Sequence, residues 1–164
     1  MHEYISDAVV LSRDTNGDLD CRFSIFTKKY GKIVVRAKSI RKITSKLSGH
    51  LMPGNIVAAR VVEKNGLQIV DALKKGKIKI DYRDLNFLRG LMADFESDPG
   101  LWNLICGSGF NWVSALKILG WDPTDAICGG CDKVRPVSFN SETQEFFCKS
   151  CSSKLPPDKL IYIG

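Results

Sequence analysis

The chain has 164 residues, 44% hydrophobic and 26% charged, with a net charge of +6 at pH 7. That length suits one compact domain or two to three small modules, and no apolar run approaches the roughly 18 residues needed to span a bilayer. The opening MHEYISDAVVLS places Glu3 and Asp7 where a secretory signal needs a positive region and an apolar core, so a soluble cytoplasmic protein with reduced thiols is expected.

Residues 1–78 read as five short strands, Ala8–Leu11, Cys21–Thr27, Ile33–Lys38, Ile56–Val62 and Leu67–Leu73, each an apolar or β-branched run. Asn16-Gly17, Tyr30-Gly31, Pro53-Gly54 and Asn65-Gly66 punctuate them, and the last of these is a good tight-hairpin signal. Alternation puts Cys21, Phe23 and Ile25 on one face and projects Arg36 and Lys38 together. Five strands in so short a span predict a small barrel of the oligonucleotide-binding OB type, with an SH3-like barrel as the alternative. Asp14, Asp18 and Asp20 lack the terminal glutamate and spacing of a calcium loop, and are expected to be solvated turn residues.

Charge is distributed unevenly. Residues 1–75 hold 14 Lys/Arg against 7 Asp/Glu, whereas residues 76–164 hold 10 against 11. No acid stands between Asp20 and Glu63, a stretch that contains ten bases. One-sided clustering of this kind is the footprint of a polyanion binder, against the plainer reading of a solvated basic face. No basic amphipathic helix accompanies it, which argues against a membrane surface. The expected phosphate contacts are Lys28, Lys29, Lys32, Arg36, Lys38, Arg41, Lys42 and Lys46, sequence-independent and weakened by salt. Tyr30 is either a base-stacking aromatic or a plain surface tyrosine, and Phe26 is expected in the core.

Over residues 79–121 the period changes to three and four. Leu85, Leu88, Leu91, Met92 and Phe95 form one helical stripe, which Asp81 and Asp84 start by capping and by complementing the helix dipole. Asp98-Pro99 is a second start, with Asp98 as cap and Pro99 as first helical residue. Trp112, Ala115, Leu116 and Leu119 make a third stripe, stopped by Gly120. All three stripes are expected to be core rather than binding grooves.

Residues 122–164 carry Cys128 and Cys131, then Cys148 and Cys151, the spacing Cys-x2-Cys-x16-Cys-x2-Cys. Two matched knuckles of this spacing predict a tetrahedral four-cysteine zinc site; a redox pair or two disulfides are the alternatives. Four protein ligands leave no open coordination position, so one structural ion is expected, without chemistry of its own. Gly129 and Gly130 suit the tight first knuckle by tolerating positive φ. Val137, Phe139, Phe146 and Phe147 provide a small core, and Cys21 and Cys106 are expected to be buried small hydrophobes. The sum is a mixed α+β chain: an N-terminal five-stranded OB-type β-barrel (1–78), a short helical region (79–121) and a C-terminal four-cysteine zinc-ribbon-like module (122–164).

In this order the segments resemble the RecO family of bacterial recombination mediators. Phe26-Thr27-Lys28-Lys29-Tyr30-Gly31-Lys32-Ile33, followed by Ala37-Lys38-Ser39-Ile40-Arg41-Lys42, is similar to that family's FTxxxGK and AKGxR signature, with Ser39 where glycine is usual. Ser45-Lys46-Leu47-x-Gly49-x-Leu51 continues it. Leu116-x-x-Leu119-Gly120-Trp121-x-Pro123 running into Cys128 is similar to the helix that leads into the family's zinc module. The helical region, about 43 residues, is shorter than usual. The resemblance implies a DNA damage response protein that binds single- and double-stranded DNA, promotes annealing and, with RecR, places RecA on coated single strands. It also implies single-strand-binding protein as a partner, held in the helical part, and localisation to the cytoplasmic nucleoid.

Members of the family are not enzymes. In agreement, His2 and His50 are the only histidines, and no phosphate-binding Gly-x-x-x-x-Gly-Lys-Ser/Thr loop is present. Two other readings stay open: an adaptor that docks a barrel and zinc ribbon on a replication or transcription assembly, and an RNA-binding protein, since phosphate contacts do not report the sugar.

Overall fold

A computed structural model describes residues 1–15, 20–38, 40, 45–133 and 135–164. The expected Asn16-Gly17 turn, Asp18, Ser39, Arg41 and Lys42 lie outside the described residues. The chain divides into two compact units, Met1–Ser108 and Gly109–Gly164.

The first unit is built on β1 (Glu3–Thr15), β2 (Cys21–Thr27), β3 (Gly31–Ala37), β4 (Asn55–Glu63) and β5 (Leu67–Lys77). The sheet order is β1-β2-β3-β5-β4, and β4 pairs back on β1 from Glu3↔Val62 to Val9↔Ile56. All of these pairings are antiparallel except β3 with β5, which meet in parallel at Arg36↔Gln68. Period-two alternation works as expected: Cys21, Phe23 and Ile25 face inward with Ile33, Val35 and Val57 in one buried cluster. Fully burying each such large side chain contributes about 1.5–3 kcal/mol. Asn65 (φ 51°) and Gly66 (φ 96°) supply the left-handed pair that closes the β4–β5 hairpin.

β1 starts five residues before its expected first residue, Ala8, because Glu3, Ile5 and Asp7 point outward yet still take part in the ladder with β4. Their mixed polarity hides a strand whose backbone pairing is regular. Ile40 and Leu51 are fully buried in the same cluster, with Leu47 packed against it. These three anchor the connection between β3 and β4, and Lys46 is carried beside one of them.

Helices α1 (Tyr82–Leu91) and α2 (Pro99–Cys106) complete this unit. The expected caps are present: Asp81 accepts from the Asp84 N–H at 2.8 Å, and Asp98 from the Leu101 N–H at 2.9 Å with Pro99 in the first turn. The stripe, however, ends before Phe95. The helix stops at Leu91, and Phe95 has φ 58° and an exposed side chain. Its N–H donates instead to the Lys32 carbonyl at 2.9 Å, so the chain after α1 runs beside β3.

That docking explains Gly31. The residue has φ +77°, and a Cβ there would lie 2.4 Å from the Glu96 backbone. Left-handed backbone costs an L-residue about 1–2 kcal/mol before any clash. Gly31→Ala is therefore expected to lower the unfolding free energy by about 2 kcal/mol or more, read as a shifted denaturant midpoint. An unchanged midpoint would mean that the 94–96 segment does not pack here.

The second unit holds α3 (Trp112–Leu119), the three-stranded sheet β7-β6-β8 and the short helix α4 (Lys149–Ser152). β6 is Ser138–Asn140, β7 is Glu145–Phe147 and β8 is Leu160–Tyr162. Asn111 caps α3 through the Ser114 N–H at 2.8 Å, and Gly120 at φ 107° ends it as expected. Phe139 is the centre of the small core, 5.0 Å from the Phe146 ring and 5.4 Å from Trp121 between centroids.

Candidate nucleic-acid interface and metal centre

The β2–β3 hairpin separates the basic side chains into two groups. Arg22 and Arg36 stand directly opposite each other near its open end, both exposed. Like charges facing across a ladder destabilise a sheet, and here Asp20 relieves the repulsion by pairing with Arg36 at 2.5 Å. Among the described residues Arg22 has no ion pair. Arg22 is not among the expected phosphate contacts, although alternation from Arg22 through Ser24 to Phe26 puts it on the outward face. Lys38 and Lys46 are exposed, and lie at this end or in the connection that follows it.

At the other end, Lys28 and Lys29 occupy the tight turn and are exposed. The turn is held by two hydroxyls: the Tyr30 N–H donates to Thr27 Oγ1 at 2.9 Å, and the Lys29 N–H to Ser6 Oγ at 3.1 Å. Tyr30 itself is half-buried, its ring edge-on to Tyr4 with centroids 5.1 Å apart. Phe26 is buried, as expected of a core residue, but on the outer side of the sheet against Trp102 of α2.

Lys32 is placed differently from its neighbours. Its side chain is only 13% exposed, donates to the Arg89 carbonyl at 2.8 Å and lies 3.3 Å from the Asp94 carboxylate. An ammonium on the last carbonyls of a helix is favoured by the helix dipole, so Lys32 ties β3 to the end of α1. Lys32→Met is expected to cost about 2 kcal/mol, the scale of a lost charged hydrogen bond. A thermal or denaturant melt checks this, and an unaltered melt would show the tie to be idle. His50 also has a structural partner, its Nδ1 accepting from the Lys74 N–H at 2.9 Å.

In the second unit the four predicted cysteines come together. The sulfurs of Cys128, Cys131, Cys148 and Cys151 all lie within 4.8 Å of one another, and Cys131 Sγ is 3.7 Å from Cys148 Sγ. A tetrahedron with metal–sulfur bonds near 2.3 Å has sulfur–sulfur edges of about 3.8 Å, so the cage fits one metal ion. A disulfide needs about 2.05 Å, and all six cysteines are unpaired. The knuckle glycines serve by size, since neither has positive φ. A Cβ on Gly130 would sit 2.9 Å from Cys151 Sγ, and the left-handed residue nearby is Asp132 at φ 59°.

The electrostatics divide the four thiols. Burial works to raise the Cys128 thiol, but N–H groups of Cys148, Gly130 and Cys131 outweigh it and bring it down to about 6. Cys148 is lowered chiefly by the Cys151 N–H, at 3.5 Å from its sulfur. Cys151, hydrogen-bonded among the sulfurs of Cys128, Cys131 and Cys148, is raised to about 12. Backbone donors thus lower Cys128 and Cys148, while Cys151 is held protonated among the other sulfurs. Outside it, Cys21 is buried as expected, whereas Cys106 is half-buried and burial raises its thiol to about 11.

Residues 1–76 match the sequence family described as "Recombination protein O N terminal". The chain is similar to the DNA repair protein RecO of Cutibacterium acnes, 27% identical over 138 residues that cover 76% of this chain and 53% of that protein. It is 24% identical to the DNA repair protein RecO of Bifidobacterium longum, covering 92% of this chain and 74% of the relative. With the protein of that name from Thermodesulfovibrio yellowstonii the identity is 28%, over 93% of this chain and 71% of the relative. The chain therefore spans about half to three quarters of the length of these relatives. Among the described residues no helix is long and apolar enough to cross a membrane.

Proposed function

We propose, from the match of residues 1–76 to the recombination protein O N-terminal family, that the chain is a non-enzymatic mediator of recombinational DNA repair. Its first 78 residues act as an OB-type barrel that binds single- and double-stranded DNA without sequence preference, residues 79–121 as the helical region and residues 122–164 as a zinc-ribbon-like module. Lys28, Lys29, Arg36, Lys38, Arg41, Lys42 and Lys46, joined by Arg22, contact phosphates, while Lys32 serves mainly to hold the hairpin in place. Lowering the mutual repulsion of two strands promotes annealing, and RecR and single-strand-binding protein are the partners through which RecA is loaded. Cys128, Cys131, Cys148 and Cys151 hold one zinc ion that maintains the fold of their unit and leaves no position for a substrate. The protein works in the cytoplasm, on the nucleoid.

The observation that supports this reading most is the exposed basic hairpin inside a domain of that family, with Arg22 facing Arg36 across the ladder. A sheet that accepts a like-charge pair gains when an anion neutralises it. Titrating the chain into a labelled single strand and its duplex at several salt concentrations tests the reading. Binding to both with a steep salt dependence supports it, and accelerated annealing of complementary strands supports the mediator role. No binding at low salt would sink it in favour of a protein adaptor.

A further inference from the structure

The first unit contains a cavity of about 840 Å³ on the outward side of β1, β4 and β5, walled by α2 and reaching the β2–β3 turn. Its floor is a row across three strands, in which Ile5 pairs with Arg60 and Arg60 with Asp71. Pro99, Trp102 and Asn103 of α2 form one wall, and Lys28 and Lys29 stand in its lining at the turn. The groove usually employed by an OB barrel lies on strands 2 and 3 with the β1–β2 and β4–β5 loops. This cavity is a different place.

Its charges are arranged with a polarity. Among the described residues neither Lys28 nor Lys29 uses its side chain in an ion pair or hydrogen bond. The Asp7 carboxylate is taken by Lys75 at 2.8 Å, and Arg60 by Glu3. Asp71, which also acts electrostatically on Arg60 opposite it, and the Asn103 amide offer a hydrogen-bond acceptor and a mixed donor–acceptor beside apolar Ile5, Pro99 and Trp102. A ligand that complements this is anionic at one end only, and flat, apolar and edged with donors and acceptors at the other. The volume lies within the range of small-ligand sites, about 300–1,000 Å³.

Resting on the DNA-binding reading above, we propose that this cavity seats one unstacked base of a single strand, whose flanking phosphates are held by Lys28 and Lys29. Asp71 accepts from an exocyclic amine or ring N–H, and Asn103 answers either edge. An acidic peptide suits the cavity less well, because its carboxylates would face Asp71, whereas a base carries no charge past the lysines. The strand then runs past the turn instead of ending on the β2–β3 face, which gives Lys28 and Lys29 a role separate from that of Arg22 and Arg36.

The test compares a labelled single-stranded oligonucleotide with its abasic counterpart, which keeps the phosphates and lacks the bases. Ala58 is an exposed residue of β4 that lines the cavity, and Ala58→Phe fills the space while keeping both lysines in the chain. The variant is expected to bind the natural strand about tenfold more weakly, within the contribution of one seated base, and the abasic strand as the parent chain does. Asn103→Ala, at an exposed helical position, should give a smaller loss of the same selective kind and guards against misfolding of the first variant. Parent-like affinity for the natural strand in both variants would overturn the proposal while leaving DNA binding intact. Equal losses on both strands would likewise overturn it, as damage to the phosphate contacts. Failure of the parent chain to bind either strand would remove the DNA-binding reading and this proposal together. Displacement of an acidic peptide by Ala58→Phe, with strand affinity unaltered, would give the cavity to a protein partner.

Discussion

Cys128→Ser and Cys148→Ser are each expected to unfold the second unit at neutral pH and leave the first unit folded. The four sulfurs form a cage whose 3.7 Å edge matches one tetrahedral ion. Apart from that cage the unit relies on a small core around Phe139, Phe146 and Phe147, with strands only three residues long. A core of that size rarely supplies more than about 3–5 kcal/mol, while apparent binding to a structural zinc site is worth about 10–16 kcal/mol in small modules. The metal term therefore decides whether the unit folds. Trp121, packed on Phe139, supplies a fluorescence readout alongside metal content and circular dichroism. Either variant should lose the metal and show a shifted emission that chelator does not change further, whereas the parent should reach the same emission only on chelation. Acid should mimic the chelator: metal binding requires thiolates, the raised Cys151 must give up its proton to bind, and affinity falls as pH falls. Native emission and a native melt in a metal-free parent would overturn the structural role.

The four-cysteine cage is legible because its signal is local. Two knuckles state their ligands by spacing alone, and the fold had only to bring two short segments together. The barrel was legible for a related reason: Cys21, Phe23 and Ile25 alternate, and alternation assigns the inner face without knowledge of the partner strand. Charge behaved otherwise. Between Asp20 and Glu63 the sequence has ten bases and no acid, yet Arg36, Lys32 and Arg60 are paired with Asp20, Asp94 and Glu3. Two of those acids are supplied by distant stretches, through the β1–β4 ladder and through the segment after α1. A one-dimensional charge count cannot register such neighbours. The Phe95 position failed for a comparable reason. Its spacing continues the α1 stripe, but the backbone beyond Leu91 is used to dock against β3 at Gly31 and Lys32. Tertiary contact overrode a helical period that the local sequence supports. The cavity beside α2 was not legible at all, since Ile5, Ala58 and Asn103 are ordinary exposed residues until three strands and a helix are assembled around them.

Which basic residues hold DNA is decided by salt dependence rather than by affinity alone. Each single-strand phosphate contact contributes about 0.7 to the slope of log K against log salt. Replacing Lys28 and Lys29 with Ala should lower the slope by about 1.4, and adding Arg22→Ala and Arg36→Ala should bring the loss to between about 2.1 and 2.8. If the electrostatic contribution vanishes near 1 M salt, that change weakens binding by about 100- to 600-fold at 0.1 M. The two pairs stand at opposite ends of the β2–β3 hairpin, so their effects should add, as expected of sites without shared partners. Arg36 is already bridged to Asp20, and its exchange of that carboxylate for a phosphate should make its own contribution the smallest of the four. Lys32→Met separates position from contact: its ammonium is engaged by Arg89 and Asp94, so stability should fall while the slope stays near that of the parent. A slope equally reduced in Lys32→Met would mean that the ammonium leaves the helix end to meet the strand. A slope unaltered in the fourfold variant would mean that DNA lies on another surface of the protein, and that the like-charge pair at Arg22 and Arg36 serves an acidic protein instead.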